Sequence, residues 1–441
     1  MASTLDEERA TASRAPKGVR SAVIAGSAME WFDFYLYASM AALVFGKVFF
    51  PAGEPALATM ASLGTFAVGF FARPVGGIVF GMMGDRLGRK KVLSLTFTLM
   101  GASSACIGLL PSYASIGVMA PVLLILLRLL QGLGAGAEFG GAIAVAYEHA
   151  DTKSRGRQGS WPALGVNVGL LASSLTVAAL TSMNDDFLYS VGWRIPFVLS
   201  FLLVGIGLWV RRNLPETPAF KEMTHQESAR PTTRKKSPLI QLFRTDWRGL
   251  AVVMAITIGY NGVSYTFKTF SLSYLTDFQG VSAGVGALGI SIASCCSLVT
   301  VPLAGRLSDA IGSKKVVVLS AAATAALAFP FFWLLDTRNN WLIWLGLTLA
   351  TGITVPALLS AQGAFLARQF PPAVRGTGLG AGREVGGAFS GGLAPLAAFA
   401  IVQASPSHAT WGVSLLFLAG ALFIGVGAVC DQSRRYSSDL N

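Results

Sequence analysis

Eight ionisable residues, Glu30, Asp33, Arg73, Arg128, Glu138, Lys268, Arg383 and Glu384, stand within stretches that are otherwise apolar. In hydrocarbon a charged side chain is costly unless it meets a counter-charge or water, so each marks a candidate site, and four acids beside four bases point to pairing. The segment MEWFDFYLYA, Met29 to Ala38, sets Glu30 and Asp33 three residues apart, on one face of a helix. At about 1.5 Å of rise per residue, Asp33 lies about 19 Å in from the cytoplasmic end of its helix, near the membrane midplane, and Arg128 reaches a similar depth. Glu138 falls about 15 Å nearer the cytoplasm. Arg73 and Arg383 belong to the cytoplasmic half and Lys268 to the outer half. The chemistry open to this set is the binding and release of protons and anions. A carboxylate in a dry cavity favours its neutral form and one beside an arginine its charged form. Alternation between those settings lets Asp33 or Glu138 take a proton on one side and lose it on the other. Asp33 with Arg128 is the expected core pair, with Asp33 facing a central cavity, Glu138 a second proton group and Glu30 an extension of the same face. Arg128, with Lys268 or Arg383, would attract a carboxylate, the guanidinium offering a two-pronged fork. Tyr35, Tyr260 and Asn261 are polar groups suited to line the cavity. For any one of these residues the alternative is a pair that only holds helices in register.

What must position these groups is a set of membrane helices. Of 441 residues 53% are hydrophobic and only 13% charged, against about 25% charged in soluble domains. Runs of roughly 20 apolar residues, enough to cross a bilayer, recur at 21–46, 58–83, 92–110, 116–140, 159–181, 193–212, 249–276, 284–305, 315–335, 341–365, 376–402 and 410–430. The alternation of a membrane β-barrel is absent, so the fold class expected is an all-α membrane protein with twelve transmembrane helices. Basic residues collect in every second connection, among them Arg20, Arg86, Lys90, Arg155, Lys314, Arg375 and Arg434, while the other side keeps little more than Lys47, Arg194 and Arg338. This positive-inside bias places both termini in the cytoplasm, and it makes the net charge of +12 a topology signal with no nucleic-acid partner implied. Met1 to Arg20 is polar, and no cleavable leader is expected. Cys106, Cys295, Cys296 and Cys430 read as small core hydrophobes, and His149, His225 and His408 form no cluster, so neither a metal nor a cofactor is expected.

The longest polar interval, rich in charge, Pro and Ser/Thr, divides six spans from six. The expected organisation is a tail at 1–20, a six-helix bundle at 21–212, a cytoplasmic loop at 213–248, a second bundle at 249–430 and a tail at 431–441. GMMGDRLGRKK, from Gly81, returns as GRLSDAIGSKK, from Gly305, at an offset of 224 residues, and Arg155-Gly156 returns as Arg375-Gly376. Parallel repeats of this kind suit a transporter whose substrate site lies between the halves. Gly81 and Gly88 let helix ends approach, and Asp85 can pair with Arg89 or accept from a helix N-terminus in one state and release it in another. With Arg86, Asp309 and Arg375 these form a candidate gating loop; the plainer reading is a cytoplasmic tether.

GDRLGRKK resembles the loop signature of the major facilitator superfamily. Within it, MEWFDFYLYA, FARPVGGIVFGMMGDRLGRKK, LLRLLQGLGAGAEFGGA, GWRIPF and LPETPAF are similar to the metabolite:proton symporter family. The resemblance implies two six-helix bundles in the inner membrane, without enzymatic activity. It also implies proton-coupled uptake of a small organic acid by a protein that works as a monomer. The family's zwitterionic cargoes, proline and betaine, are the alternative. The short ending DQSRRYSSDLN departs from the long coiled-coil tail of many osmolyte carriers, and Arg383-Glu384 departs from the uncharged polar residues of relatives, which makes that pair a candidate substrate determinant or an internal ion pair.

Overall fold

The computed structural model describes residues 19–51, 53–87, 89–136, 142–143, 146–147, 150, 154–212, 238–371, 374–405 and 407–433. Apolar chain with no water to satisfy its backbone must bond internally, and every regular element among the described residues is helical. In chain order the membrane helices are α1 (Val19–Leu43), α2 (Pro55–Leu87), α3 (Arg89–Leu109), α4 (Met119–Ala135), α5 (Trp161–Thr181), α6 (Arg194–Arg212), α7 (Trp247–Tyr265), α8 (Ala283–Ile311), α9 (Ser313–Leu327), α10 (Val355–Ala367), α11 (Arg375–Ser390) and α12 (Trp411–Val429). Past Tyr265 the chain of α7 continues through two π-turns to Phe278, α9 bends by 45° into Pro330–Asp336, the span that α10 completes begins at Asn340 and passes a π-turn at Thr348–Thr354, and α11 resumes as Leu393–Ala404. Seven units are long and apolar enough to cross a membrane by themselves, eight with the bent α9. The remaining four are α1, α3, α4 and α6. Here α1 holds Glu30 and Asp33, α3 opens on Arg89-Lys90-Lys91, α6 begins and ends on arginine, and α4 is 17 residues long around Arg128.

Two six-helix bundles result, each drawn tight by small residues. A Cβ placed at Gly76 would stand 2.0 Å from the Leu133 carbonyl oxygen, and one at Gly136 2.0 Å from that of Arg73, so α2 and α4 touch backbone to backbone. On the other side of the bundle Gly165 and Gly169 of α5 meet the carbonyls of Ile24 and Ala28 of α1 in the same way, at 2.4 Å each. Between the halves α5 lies along α8 and α2 along α11, where a Cβ at Gly392 would fall 2.2 Å from the Ala67 Cα.

The repeated connection differs from its reading as a loop. Helix α2 runs on to Leu87, so Gly81, Asp85 and Arg86 belong to helix; Arg89 opens α3, and Gly88 lies outside the described residues. The second copy behaves alike: α8 reaches Ile311, Gly312 turns with a φ of +91°, and Ser313 begins α9. Only a residue without a Cβ adopts that φ freely. Charges end an apolar run on paper, but at the membrane surface water can solvate them and the helix need not stop.

Candidate functional site

Asp33 stands inside the first bundle, where its Oδ2 accepts from Ser104 of α3 and, at 2.6 Å, from Gln131 Nε2 of α4. Gln131 donates also to Ser104 Oγ at 2.7 Å, and its own oxygen accepts from Arg128 Nη1. The expected pair of Asp33 and Arg128 is therefore joined through Gln131, three residues and one helical turn beyond Arg128. The Arg128 guanidinium is capped by aromatic rings, 3.8 Å from the Tyr37 centroid and 5.1 Å from that of Phe34. Asp33 Oδ1 and Arg128 Nε and Nη2 are buried without a hydrogen-bond partner among the described residues. Beside them lies a cavity of about 10 Å³, bounded by Glu30, Asp33, Arg73, Arg128 and Gln131, roughly the space of one water. Asp33 thus faces α3 and α4 within its own half, not a space between the halves.

A second charged group does cross from half to half. Arg73 of α2 donates through Nε to Glu384 Oε2 of α11 at 2.7 Å and through Nη2 to Oε1 at 3.4 Å. Its Nη2 also lies 3.6 Å from Glu30 Oε1, so one guanidinium is held between carboxylates of opposite halves. All three side chains are buried. Glu384 pairs across the interface with Arg73, and its neighbour Arg383 stays within electrostatic reach of Tyr260, Glu384 and Arg73. Arg73 thus answers Glu30 across α1 and α2.

Toward the outer side Lys268 Nζ, on a π-turn of the α7 continuation, donates to the Tyr35 hydroxyl of α1 at 3.0 Å and lies 4.9 Å from its ring. Among the described residues no carboxylate comes within 4.0 Å of this buried ammonium. Tyr35 and Tyr265 join Phe34, Phe66 and Phe70 in one aromatic cluster at the seam, with Tyr265 5.1 Å from Phe70 and 5.7 Å from both Phe34 and Phe66. Tyr260 and Asn261 are buried on α7, and the Asn261 amide nitrogen packs against Gly387 of α11.

The halves also meet at both ends. On the basic face Asp309 of α8 accepts from the backbone N–H groups of Gly156, at 2.6 Å, and Arg157, at 3.1 Å, ahead of α5. Arg375 lies 5.2 Å and Arg155 5.0 Å from the ring of Tyr147. On the outer face Ser273 donates to the Ala42 carbonyl at 3.2 Å, and the hydroxyls of Ser174 and Ser291 meet at 3.1 Å. This is an occluded arrangement, closed on both sides of its charged centre.

Of the predicted residues, the structure brings Glu30 to Arg73, Asp33 toward Arg128, Lys268 to Tyr35 and Asp309 to α5. Glu138 lies outside the described residues, and for Gly81, Asp85, Arg86 and Arg89 only the helical backbone is described. Gln131, Ser104 and the partnership of Arg73 with Glu384 were not foreseen. Gln131 had a legible signal, its i+3 spacing from Arg128; Ser104 had none.

The description "Sugar (and other) transporter" matches residues 19–241, and "Major Facilitator Superfamily" matches residues 254–430. The chain is 34% identical over 428 residues to the shikimate transporter of Escherichia coli (strain K12), covering 96% of each protein. It is 37% identical over 433 residues to the inner membrane metabolite transport protein YhjE of the same strain, covering 96% of this chain and 97% of that one. To a proline/betaine transporter of Salmonella typhimurium it is 35% identical over 387 residues, covering 86% and 76%. The crystal structure of a D-xylose-proton symporter superposes with a TM-score of 0.67 at 18% identity, covering 92% of this chain and 96% of that one, which is a likeness of fold. With two six-helix bundles and relatives matched along nearly their whole length, the chain belongs to the major facilitator superfamily, in its metabolite:proton symporter family, and is a multi-pass transporter of the inner membrane.

Proposed function

We propose that this transporter takes up a small organic acid together with protons, by alternating access. The observation that carries this reading is the Asp33–Gln131–Arg128 network: a buried carboxylate with one unpartnered oxygen beside a buried guanidinium with two unpartnered donors. Such groups are expensive to enclose unless another state of the protein supplies a proton, water or an anion. Lys268, a buried cation whose described partner is a phenol, adds a second place for negative charge. In this reading residues 21–212 and 249–430 move as two bodies joined by 213–248, with 1–20 and 431–441 as cytoplasmic tails. Asp33 carries the proton, Glu138 and Glu30 assist, and Arg128, Lys268 and Arg383 draw in the acid, lined by Tyr35, Tyr260 and Asn261. Gly81, Asp85, Arg86, Gly88, Arg89, Asp309 and Arg375 govern the cytoplasmic closure. The working unit is a monomer. The likeness to a relative named for shikimate, a hydroxylated carboxylic acid, supports the cargo class.

The test is uptake into proteoliposomes with an inward-directed proton gradient, supplied with shikimate, other mono-, di- and tricarboxylates, proline or betaine. Acid accumulation that collapses with the gradient is the expected result. Asp33→Asn should abolish gradient-driven accumulation and leave downhill exchange intact; accumulation by that variant would remove Asp33 from the proton path. Arg128→Lys, which loses the fork, should raise KM about tenfold.

A second reading, uptake of a zwitterion, is favoured by the aromatic cluster at the seam, since Phe34, Phe66, Phe70, Tyr35 and Tyr265 offer ring faces to a quaternary ammonium. Accumulation of betaine or proline alone in the same vesicles would establish it.

A further inference from the structure

Arg73 is satisfied in the occluded state by a carboxylate that belongs to the other half, in the side-on, two-oxygen manner in which a guanidinium binds a free acid. We propose that Glu384 is a built-in substitute for the cargo: the transported carboxylate takes its place on Arg73, and the displaced Glu384 takes up a proton of its own beside that of Asp33. This rests on the organic-acid reading above and assigns that site a stoichiometry.

Three observations converge. The pair is the buried ion pair through which the helices α2 and α11 hold together, and directly beside it the backbones close with no space for a side chain, Gly391 and Gly392 lying against Phe70 and Ala67. The cavity that Arg73 lines has room for about one water, so a cargo carboxylate reaches this guanidinium in the place of Glu384. The buried charges also balance among the described residues: four cations, Arg73, Arg128, Arg383 and Lys268, stand with four carboxylates, Glu30, Asp33, Asp246 and Glu384. A cargo carboxylate replacing Glu384 adds one negative charge, and a proton on the freed Glu384 cancels it. In the exchange one ion pair breaks, one forms, and a single O–H bond is made on Glu384, so the net buried charge is unchanged. A carboxylate left in the interior without its counter-ion holds a proton rather than a charge. The groups that face Glu384 are Arg73 from α2, Glu30 through Arg73 from α1, Tyr265 from α7 and Arg383 from its own helix.

The return of the empty carrier follows from the same geometry. With Glu384 back on Arg73 the unloaded halves can close, so the protein completes its cycle without cargo, as a net importer must.

The experiment uses the full chain in nanodiscs with shikimate as probe, and calorimetry in buffers of different ionisation enthalpy to count protons taken up per probe bound. Glu384→Gln should take up about one proton fewer per probe bound than the wild type and bind about tenfold tighter. In proteoliposomes Glu384→Gln should exchange probe for probe yet accumulate it to a lower ratio than the wild type on the same proton gradient. Undiminished proton uptake and accumulation by Glu384→Gln would overturn the inference while leaving the organic-acid reading in place. A wild type that binds neither shikimate nor any other carboxylate in the panel would overturn both. Should Glu384→Gln not fold, Glu384→Asp decides: one methylene shorter, it should bind the probe more tightly and still take up the proton, and unchanged affinity would count against the proposal.

Discussion

At the scale of single residues the chemistry of the centre was legible but its wiring was not. Glu30, Asp33, Arg73, Arg128, Lys268, Arg383 and Glu384 announce themselves as charges in apolar runs, and all seven are buried. Depth along a helix can be counted from sequence, whereas rotation about it decides which neighbour is met. Asp33 and Arg128 were at matching depths, yet Gln131 stands between them, and Glu384 turned toward Arg73. The bridge makes a sharp prediction. Gln131→Leu removes two contacts of Asp33 and Arg128 at once and leaves both charges enclosed, so the apparent Tm of the detergent-purified protein should fall by an amount corresponding to about 2–4 kcal/mol. An unchanged Tm would mean that water replaces the amide.

At the scale of elements the helices were predictable because an apolar run in a membrane has few alternatives, and their ends less so. The sequence ends the second apolar run at residue 83, but α2 continues to Leu87, since charged residues at a membrane surface can stay helical while water solvates them. The π-turns at Thr266–Phe270 and Thr348–Thr354 gave no sign in the sequence, since an extra residue in a turn answers to packing partners. Glycine spacing was informative, and it supports a paired prediction on α2. Gly76→Ala would push a methyl into the Leu133 carbonyl of α4 and should cost about 2–3 kcal/mol. Gly64→Ala, on the same helix with nothing within 4 Å of its Cβ, should be neutral or slightly stabilising. Thermal unfolding of the two variants separates close packing from helix propensity. Just past α12, Asp431 is tied to Gln369, which follows the end of α10. Partial burial pushes its carboxyl up, but hydrogen bonds from Gln369 and Ser433, with Arg368 nearby, outweigh that and hold it below the ordinary aspartate value. A lowered value means that the anchoring is present above an aspartate's usual pKa of about 4 and is lost as pH falls through the lower one. Protease sensitivity of the C-terminal end should therefore rise only in strong acid, and Asp431→Asn should show it at neutral pH.

At the scale of the whole molecule, the two-fold plan was written in the repeat that links Gly81 with Gly305, while the state of the molecule was not, because every conformation shares one sequence. The occluded state is held at the basic face by Asp309 on the N–H groups of Gly156 and Arg157. A charge-assisted contact of this kind contributes about 1.5–3 kcal/mol, so Asp309→Asn should move the balance toward a form open to the cytoplasm by about tenfold or more. Distances between spin labels on the cytoplasmic ends of the two halves would report it, and an unaltered distribution would remove Asp309 from the gate. The cavity beside Asp33, Arg73 and Arg128 in the closed form has room for about one water, about 10 Å³. A metabolite must therefore bind a conformer other than this one, and its measured dissociation constant is the intrinsic value divided by the fraction of molecules that stand open. Substitutions far from every ligand contact, at the seam of Gly392 with Ala67 for example, would then register as gains in affinity, and a screen for tighter binding would return hinges and latches as readily as binding residues.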